Sequence, residues 1–166
     1  GGVLEFTDQT AVGQYSILAI DPVSMCTRTM IGSVSVWVYP LPEATITGDA
    51  TICVGESTML TVNFVGTAPW VFEVSNGSTI TTHSTSTTPW YTLVSPVVTT
   101  TYTIPMVMDA YCDNVGQGSA VVTVNIPALY YVTGGGEYCE GGVGVNVGLT
   151  GSDLGVEYEL YLDGVA

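Results

Sequence analysis

GDATICVGESTMLTVNFVGTAPWVFEVSNG, residues 48–77, decides how this chain is organised, because a version of it occurs twice. Laid over GGGEYCEGGVGVNVGLTGSDLGVEYELYLDG, residues 134–164, it brings Cys53 onto Cys139, Val62 close to Val147 and Glu73 onto Glu159, an offset of 86. A second pair gives the same interval. YSILAIDPVSMCTRTMIGSVSVWVYP, residues 15–40, falls on YTIPMVMDAYCDNVGQGSAVVTVNIP, residues 102–127, with Tyr15 on Tyr102, Cys26 on Cys112, Val38 on Val124 and Pro40 on Pro127. One unit of roughly 80 to 90 residues is therefore repeated, the pattern of a tandem array.

The repeat is out of phase with the chain. Residues 43–127 hold one complete unit, with strand candidates at 44–47, 57–64, 70–75, 78–82, 90–94, 101–108 and 118–126. Short alternating runs separated by Gly, Pro and Asn predict an antiparallel sandwich. Residues 1–42 match its C-terminal half and residues 128–166 its N-terminal half, with strand candidates at 3–6, 14–20 and 32–39 and at 129–133, 143–149 and 156–162. Neither half can bury its own apolar face. The expected fold class is thus all-β, tandem antiparallel β-sandwiches, the second completed head-to-tail when residues 128–166 of one copy meet residues 1–42 of the next.

VEYELYLDGVA at 156–166 runs into the hairpin signal Asp163-Gly164 without a returning strand, and GGVLEF at 1–6 is the expected partner. The assembly residues are accordingly Gly1, Gly2, Val3, Leu4 and Phe6 on one side and Tyr158, Leu160 and Leu162 on the other. Closure within one chain is disfavoured, since a seven-stranded sandwich starts and finishes about 17 to 20 Å apart, one strand length. The connectors YPLPEA and IPALYY are too short and proline-stiffened to fold back. Head-to-tail joining, as a covalent tandem array or between separate copies, does not close on itself and generates filaments.

Composition narrows the function further. The chain has 166 residues, no Lys, the single Arg28 and fifteen carboxylates, for a net charge of −14. Phosphate neutralisation needs cations, so nucleic acid is excluded as a partner. The missing Lys also rules out a Schiff base, a lysine general base and a Lys-Asn isopeptide crosslink. No apolar run is long enough for a membrane span, and the N-terminus lacks signal-peptide order. No cofactor is implied.

Covalent strengthening falls to the four cysteines, and four allow three pairings. They are isolated, without C-x-x-C spacing or histidine neighbours, which argues against a metal. Cys53 precedes the second strand of the complete unit and Cys112 lies in its last hairpin, so a disulfide between them is expected. By the repeat register Cys26 and Cys139 pair across the head-to-tail join. Each bridge closes a loop of about 55 to 60 residues, worth roughly 3 to 4 kcal/mol.

Together these segments resemble the Ig-like or PKD-like repeats of very long secreted surface proteins of gliding-type Gram-negative bacteria. The phrases TAPW, VTGGG, YC-x-GG and PLPEA carry the similarity, which spans nearly the whole chain. It implies an extracellular, cell-surface β-sandwich array with structural or adhesive roles and no catalytic residues. One departure stands out: the counterpart of residues 81–89 is nearly absent at the join.

Other candidates are weaker. His83, the only histidine, sits in the polar run TTHSTSTT, where nothing positions a catalytic base. Asp109, Asp113 and Asn114 flank Cys112, and Glu137 and Glu140 flank Cys139; they are weak calcium candidates, since no D-x-D-x-D-G loop is present. Trp90-Tyr91 offers a sugar-stacking surface, whereas Trp70 reads as core. Asn76-Gly77-Ser78 reads as a turn before a glycosylation site. Edge strands without Lys, with Val34, Val36 and Val38 alternating, permit strand addition. The leading expectation is a non-enzymatic subunit of an extracellular filament; the alternative is an adhesin-type module binding carbohydrate or protein, with or without calcium.

Overall fold

A computed structural model describes residues 2–165; its strands are numbered in chain order, and no helix occurs among the described residues. The first flank holds β1 (Gly13–Tyr15), β2 (Leu18–Ile20), β3 (Thr27–Thr29) and β4 (Val34–Val36). The central unit holds β5 (Glu43–Thr47), β6 (Ala50–Cys53), β7 (Thr58–Val65), β8 (Trp70–Ser75), β9 (Ile80–Thr85), β10 (Trp90–Val94), β11 (Thr100–Tyr102), β12 (Val107–Met108), β13 (Asp113–Asn114) and β14 (Ala120–Asn125). The second flank holds β15 (Val132–Gly134) and β16 (Val147–Leu149). The chain is all-β, and nearly all of its pairings are antiparallel.

In the central unit one sheet runs β10-β7-β5. Opposite it lie β13-β12-β8-β9 and β11-β14-β6, joined into one layer where Ser75 and Thr103 exchange backbone hydrogen bonds of 2.9 and 3.0 Å. Successive side chains of a strand point to opposite faces, so the alternation of Leu60, Val62 and Phe64 on β7 places all three inside. They meet Trp70, Phe72 and Val74 of β8, with Ile46, Tyr102, Ile104, Val107 and Val122 filling the space between the layers. Phe72 anchors the packing: its ring contacts Phe64, Trp90 and His83 at centroid distances of 4.8, 5.0 and 5.5 Å.

The chain changes sheets between β5 and β6. β5 is antiparallel to β7, while β6 lies parallel to β14, with Cys53 opposite Asn125. Gly48 makes this step with φ at +133°, and a Cβ there would fall 2.8 Å from the Met59 carbonyl. Only glycine fits both conditions.

Several sequence expectations shift. The strand expected at 101–108 splits into β11 and β12, because Pro105 has no N–H to continue a ladder. The strand expected at 78–82 begins at Ile80: Asn76 Oδ1 accepts from the N–H groups of Ser78 and Thr79 and builds a four-residue turn, rather than a two-residue one. β6 and β13 were not expected at all. In the flanks, residues 3–6 and 156–162 form no strand within the single chain apart from a bridge between Leu162 and Val165. Gly1 lies outside the described residues.

Candidate assembly surfaces

Each flank reproduces part of the hydrogen bonding of one half of the central unit. β1 pairs with β4 through Tyr15 opposite Val34 and Gly13 opposite Val36; β11 pairs with β14 through Tyr102 opposite Ala120 and Thr100 opposite Val122. The Met30 N–H donates to the Ile17 carbonyl at 2.8 Å, as Gly116 donates to Ile104 at 3.0 Å. Asp21 and Asp109 each donate a backbone N–H of 2.9 Å to the carbonyl of the following cysteine, Cys26 and Cys112. On the other side β15 pairs with β16 as β5 pairs with β7, and Gly134 takes the place of Gly48, with positive φ and no room for a Cβ beside the Asn146 carbonyl.

What the flanks lack is a core. Ile104 is 2% exposed and its counterpart Ile17 45%; Val74 is 8% exposed and Leu160 73%. Phe72 is fully buried, whereas Tyr158 is 44% exposed. Val3, Leu4, Phe6 and Leu162 are likewise exposed, and so is Gly2. Two open grooves result. One lies on the first flank among Leu4, Phe6, Tyr15, Ile17, Val34 and Val36; the other lies on the second among Val132, Val147, Leu149, Tyr158 and Leu160. Most of their apolar floor residues occupy positions that form the interior of the central unit; Leu4 and Phe6 do not, since their counterparts Tyr91 and Leu93 are exposed there.

The central unit also indicates which strands these surfaces accept. β10 pairs with β7, so residues 3–6, the counterpart of β10, match the free edge of β16. β8 pairs with β12 and β9, so residues 156–161, the counterpart of β8, match β2. The sequence had matched residues 1–6 to 156–164, a register that the central unit does not use.

All four cysteines are free. The expected bridge between Cys53 and Cys112 does not form, for a geometric reason. Cys53 ends β6 beside the outgoing connector, where the Val54 N–H donates to the Asn125 carbonyl at 3.2 Å. Cys112 lies beside the incoming connector, its Sγ 4.0 Å from the Tyr39 carbonyl, while the Tyr111 ring stacks on Tyr39 at 3.9 Å. Between these two ends runs the eight-residue β7, about 26 Å at ~3.3 Å per residue, whereas bridged cysteines need Cα atoms within about 7 Å. The equivalent positions Cys26 and Cys139 stand on separate flanks and are not bridged. The signal missed in the sequence was β6, which carries Cys53 to the far end.

Asp109 is a latch. Its carboxylate accepts from the N–H of Thr67 at 2.9 Å, tying the two halves of the unit together, and from Tyr111 at 2.8 Å and Cys112 at 2.9 Å. These bonds hold its pKa below the usual carboxylate value, Thr67 contributing most. With its oxygens engaged by N–H donors, Asp109 is poorly set up as a calcium ligand; Asp113 is an exposed residue of β13. Asp21 repeats the local bonds, to the Val23 N–H and the Ser24 hydroxyl, and its pKa is lowered too, Val23 first. No group of three or more His, Cys, Asp or Glu side chains gathers among the described residues.

His83 lies against Phe72 and Trp90, its Nε2 2.9 Å from the Thr81 hydroxyl, with no carboxylate among those contacts. Trp70 is core, as expected, although its Nε1 is buried without an acceptor. No protein-family model matches the chain, and no curated protein does so either.

Proposed function

We propose that the protein is a non-enzymatic, Ig-like structural subunit that assembles head-to-tail into an extracellular filament or cell-surface array. Residues 128–166 of one copy and residues 1–42 of the next form a second sandwich like the central one. The observation that supports this reading is the coincidence of hydrogen-bond register with missing burial: both flanks repeat pairings of the central unit, yet positions equivalent to its core, such as Ile17, Tyr158 and Leu160, remain in water. Burying a Val, Leu, Ile or Phe side chain contributes about 1.5 to 3 kcal/mol, and each join supplies several at once.

The proposed sandwich would lack only a counterpart of β9, which is an edge strand in the central unit. Loss of an edge leaves the core covered. The expected partner is another copy of this chain, whether linked through a peptide bond or not, and the absence of Lys leaves its strand edges without a common protection against pairing.

The test uses two blocked variants of the whole chain. Leu160→Glu places a charge in one groove and Val36→Glu a charge in the other. By analytical ultracentrifugation the parent chain forms long polymers, each variant alone remains monomeric, and an equal mixture stops at dimers because one sound join is left. Polymers of either variant, or a mixture that stays monomeric beside a polymerising parent, would contradict the reading.

A further inference from the structure

The four thiols carry an inference that rests on head-to-tail assembly but differs from bridging within each unit. In the central unit Cys53 stands at the outgoing connector and Cys112 at the incoming one. The repeat register transfers these placements to the joined sandwich: Cys139 takes the place of Cys53, and Cys26 of the following copy takes the place of Cys112. The match is structural as well as sequential. Gly142 donates to the Cys139 carbonyl as Glu56 donates to that of Cys53, and Cys26, like Cys112, closes a loop from an aspartate N–H, with four residues enclosed instead of two.

Tyr39-Pro40 corresponds to the stretch that ends in Pro127, so Cys26 of the next copy would lie against the Asn125-Ile126 connector, as Cys112 lies against Tyr39. Cys53 is already there, paired with Asn125. The same construction at the other joint puts Cys139 of the preceding copy on the Val38-Tyr39 connector, beside Cys112. Two cysteines therefore flank each connector, one from either adjoining unit. Within a unit the two are a sandwich length apart.

We infer that disulfides staple successive units to one another, Cys53 of one copy to Cys26 of the next and Cys139 of the first to Cys112 of the next, so that each neighbouring pair of chains shares two bridges. Each bridge forms from two thiols and one disulfide oxidant such as oxidised glutathione. One S–S bond is made as one is broken, and the two thiol protons end on two reduced glutathione molecules. Three of the four thiols are exposed and Cys112 is half-buried, so the oxidant can reach them. The staples would fix bend and twist at the connectors, where only short proline-containing segments otherwise join the units.

Substitution in pairs separates the two pairing schemes. The chain is allowed to assemble with oxidised glutathione, alkylated, and run on a denaturing gel without reductant, with sedimentation before oxidation reporting assembly separately. Cys53→Ser with Cys112→Ser removes one partner of each proposed staple, and the expected result is collapse of the ladder to the 17.3 kDa chain. Cys26→Ser with Cys53→Ser removes both partners of one staple, so the ladder persists through Cys112 and Cys139. Bridging within units predicts the reverse for both pairs. Chymotryptic peptide mapping should recover Cys53 joined to Cys26 and Cys112 joined to Cys139; trypsin has only Arg28 to cut. Recovery of Cys53 with Cys112, or four alkylated thiols in a chain that sediments as polymer, would overturn the staples and leave the assembly reading standing. A parent chain that never sediments above monomer would overturn both.

Discussion

The central unit and the flanks are built on one hydrogen-bonding plan and differ in whether that plan encloses anything. β11 with β14 and β1 with β4 share a register, as do β5 with β7 and β15 with β16. In the central unit two such halves face each other and Phe72, Leu60 and Val122 are shut away from water; in the flanks the equivalent faces are open. A β-hairpin is only marginally stable unless its apolar face is covered. Local signals of turns and alternation thus suffice to specify the hairpins of each flank, while only the central unit, where two halves meet, encloses a core.

The largest contrast should come from truncating core side chains. Phe72→Ala should lower the unfolding free energy of the central unit by about 3 to 5 kcal/mol, read from urea denaturation. Tyr158→Ala, at the equivalent flank position, should change that free energy by less than about 0.5 kcal/mol in the unassembled chain while weakening polymerisation. Equal effects at the two positions would break the comparison.

Next in size is the glycine that changes sheets. Gly48→Ala combines positive φ with a collision against the Met59 carbonyl, and a cost of about 1 to 3 kcal/mol is expected. Gly134→Ala should leave the central unit's denaturation unchanged and instead unravel β15 with β16, visible as faster amide exchange at Thr133 and Gly148.

The smallest effect concerns Asp109. Its carboxyl is held low by N–H donors, Thr67 foremost, so the folded state favours the ionised form. That stabilisation is complete above the unfolded value of about 3.9 and is lost as pH falls from there through the lower folded value. Asp109→Asn should therefore weaken the central unit near neutral pH and flatten its loss of stability below about pH 4. An unchanged acid profile would mean that the latch contributes nothing.

Much of this architecture was legible in the sequence. Period-2 alternation located β7 and β8 to within a residue or two at their ends, because Leu60, Val62 and Phe64 on one and Trp70, Phe72 and Val74 on the other face inward with Thr61, Asn63 and Glu73 between them; β10 was located too, although there Thr92 faces inward and Tyr91 and Leu93 outward. β6 was not legible. ATIC is four residues with one buried side chain, Ile52, and its place is set by parallel pairing with β14, 72 positions away in sequence. That omission also misplaced Cys53, and with it the disulfide scheme. The pairing expected for residues 156–162 came from adjacency at the join, which put them beside residues 1–6, whereas in the central unit β8 pairs with β12 and β9 and not with β10.

Amide hydrogen exchange on the whole chain, dilute and assembled, tests the central claim most directly. The account predicts that amides of Tyr158, Leu160, Leu4 and Phe6 exchange freely in the dilute chain while Leu60 and Phe72 are protected, and that polymerisation slows the first group towards the second. Amides of Tyr158, Leu160, Leu4 and Phe6 already protected in the dilute monomer, or still unprotected within the polymer, would contradict it.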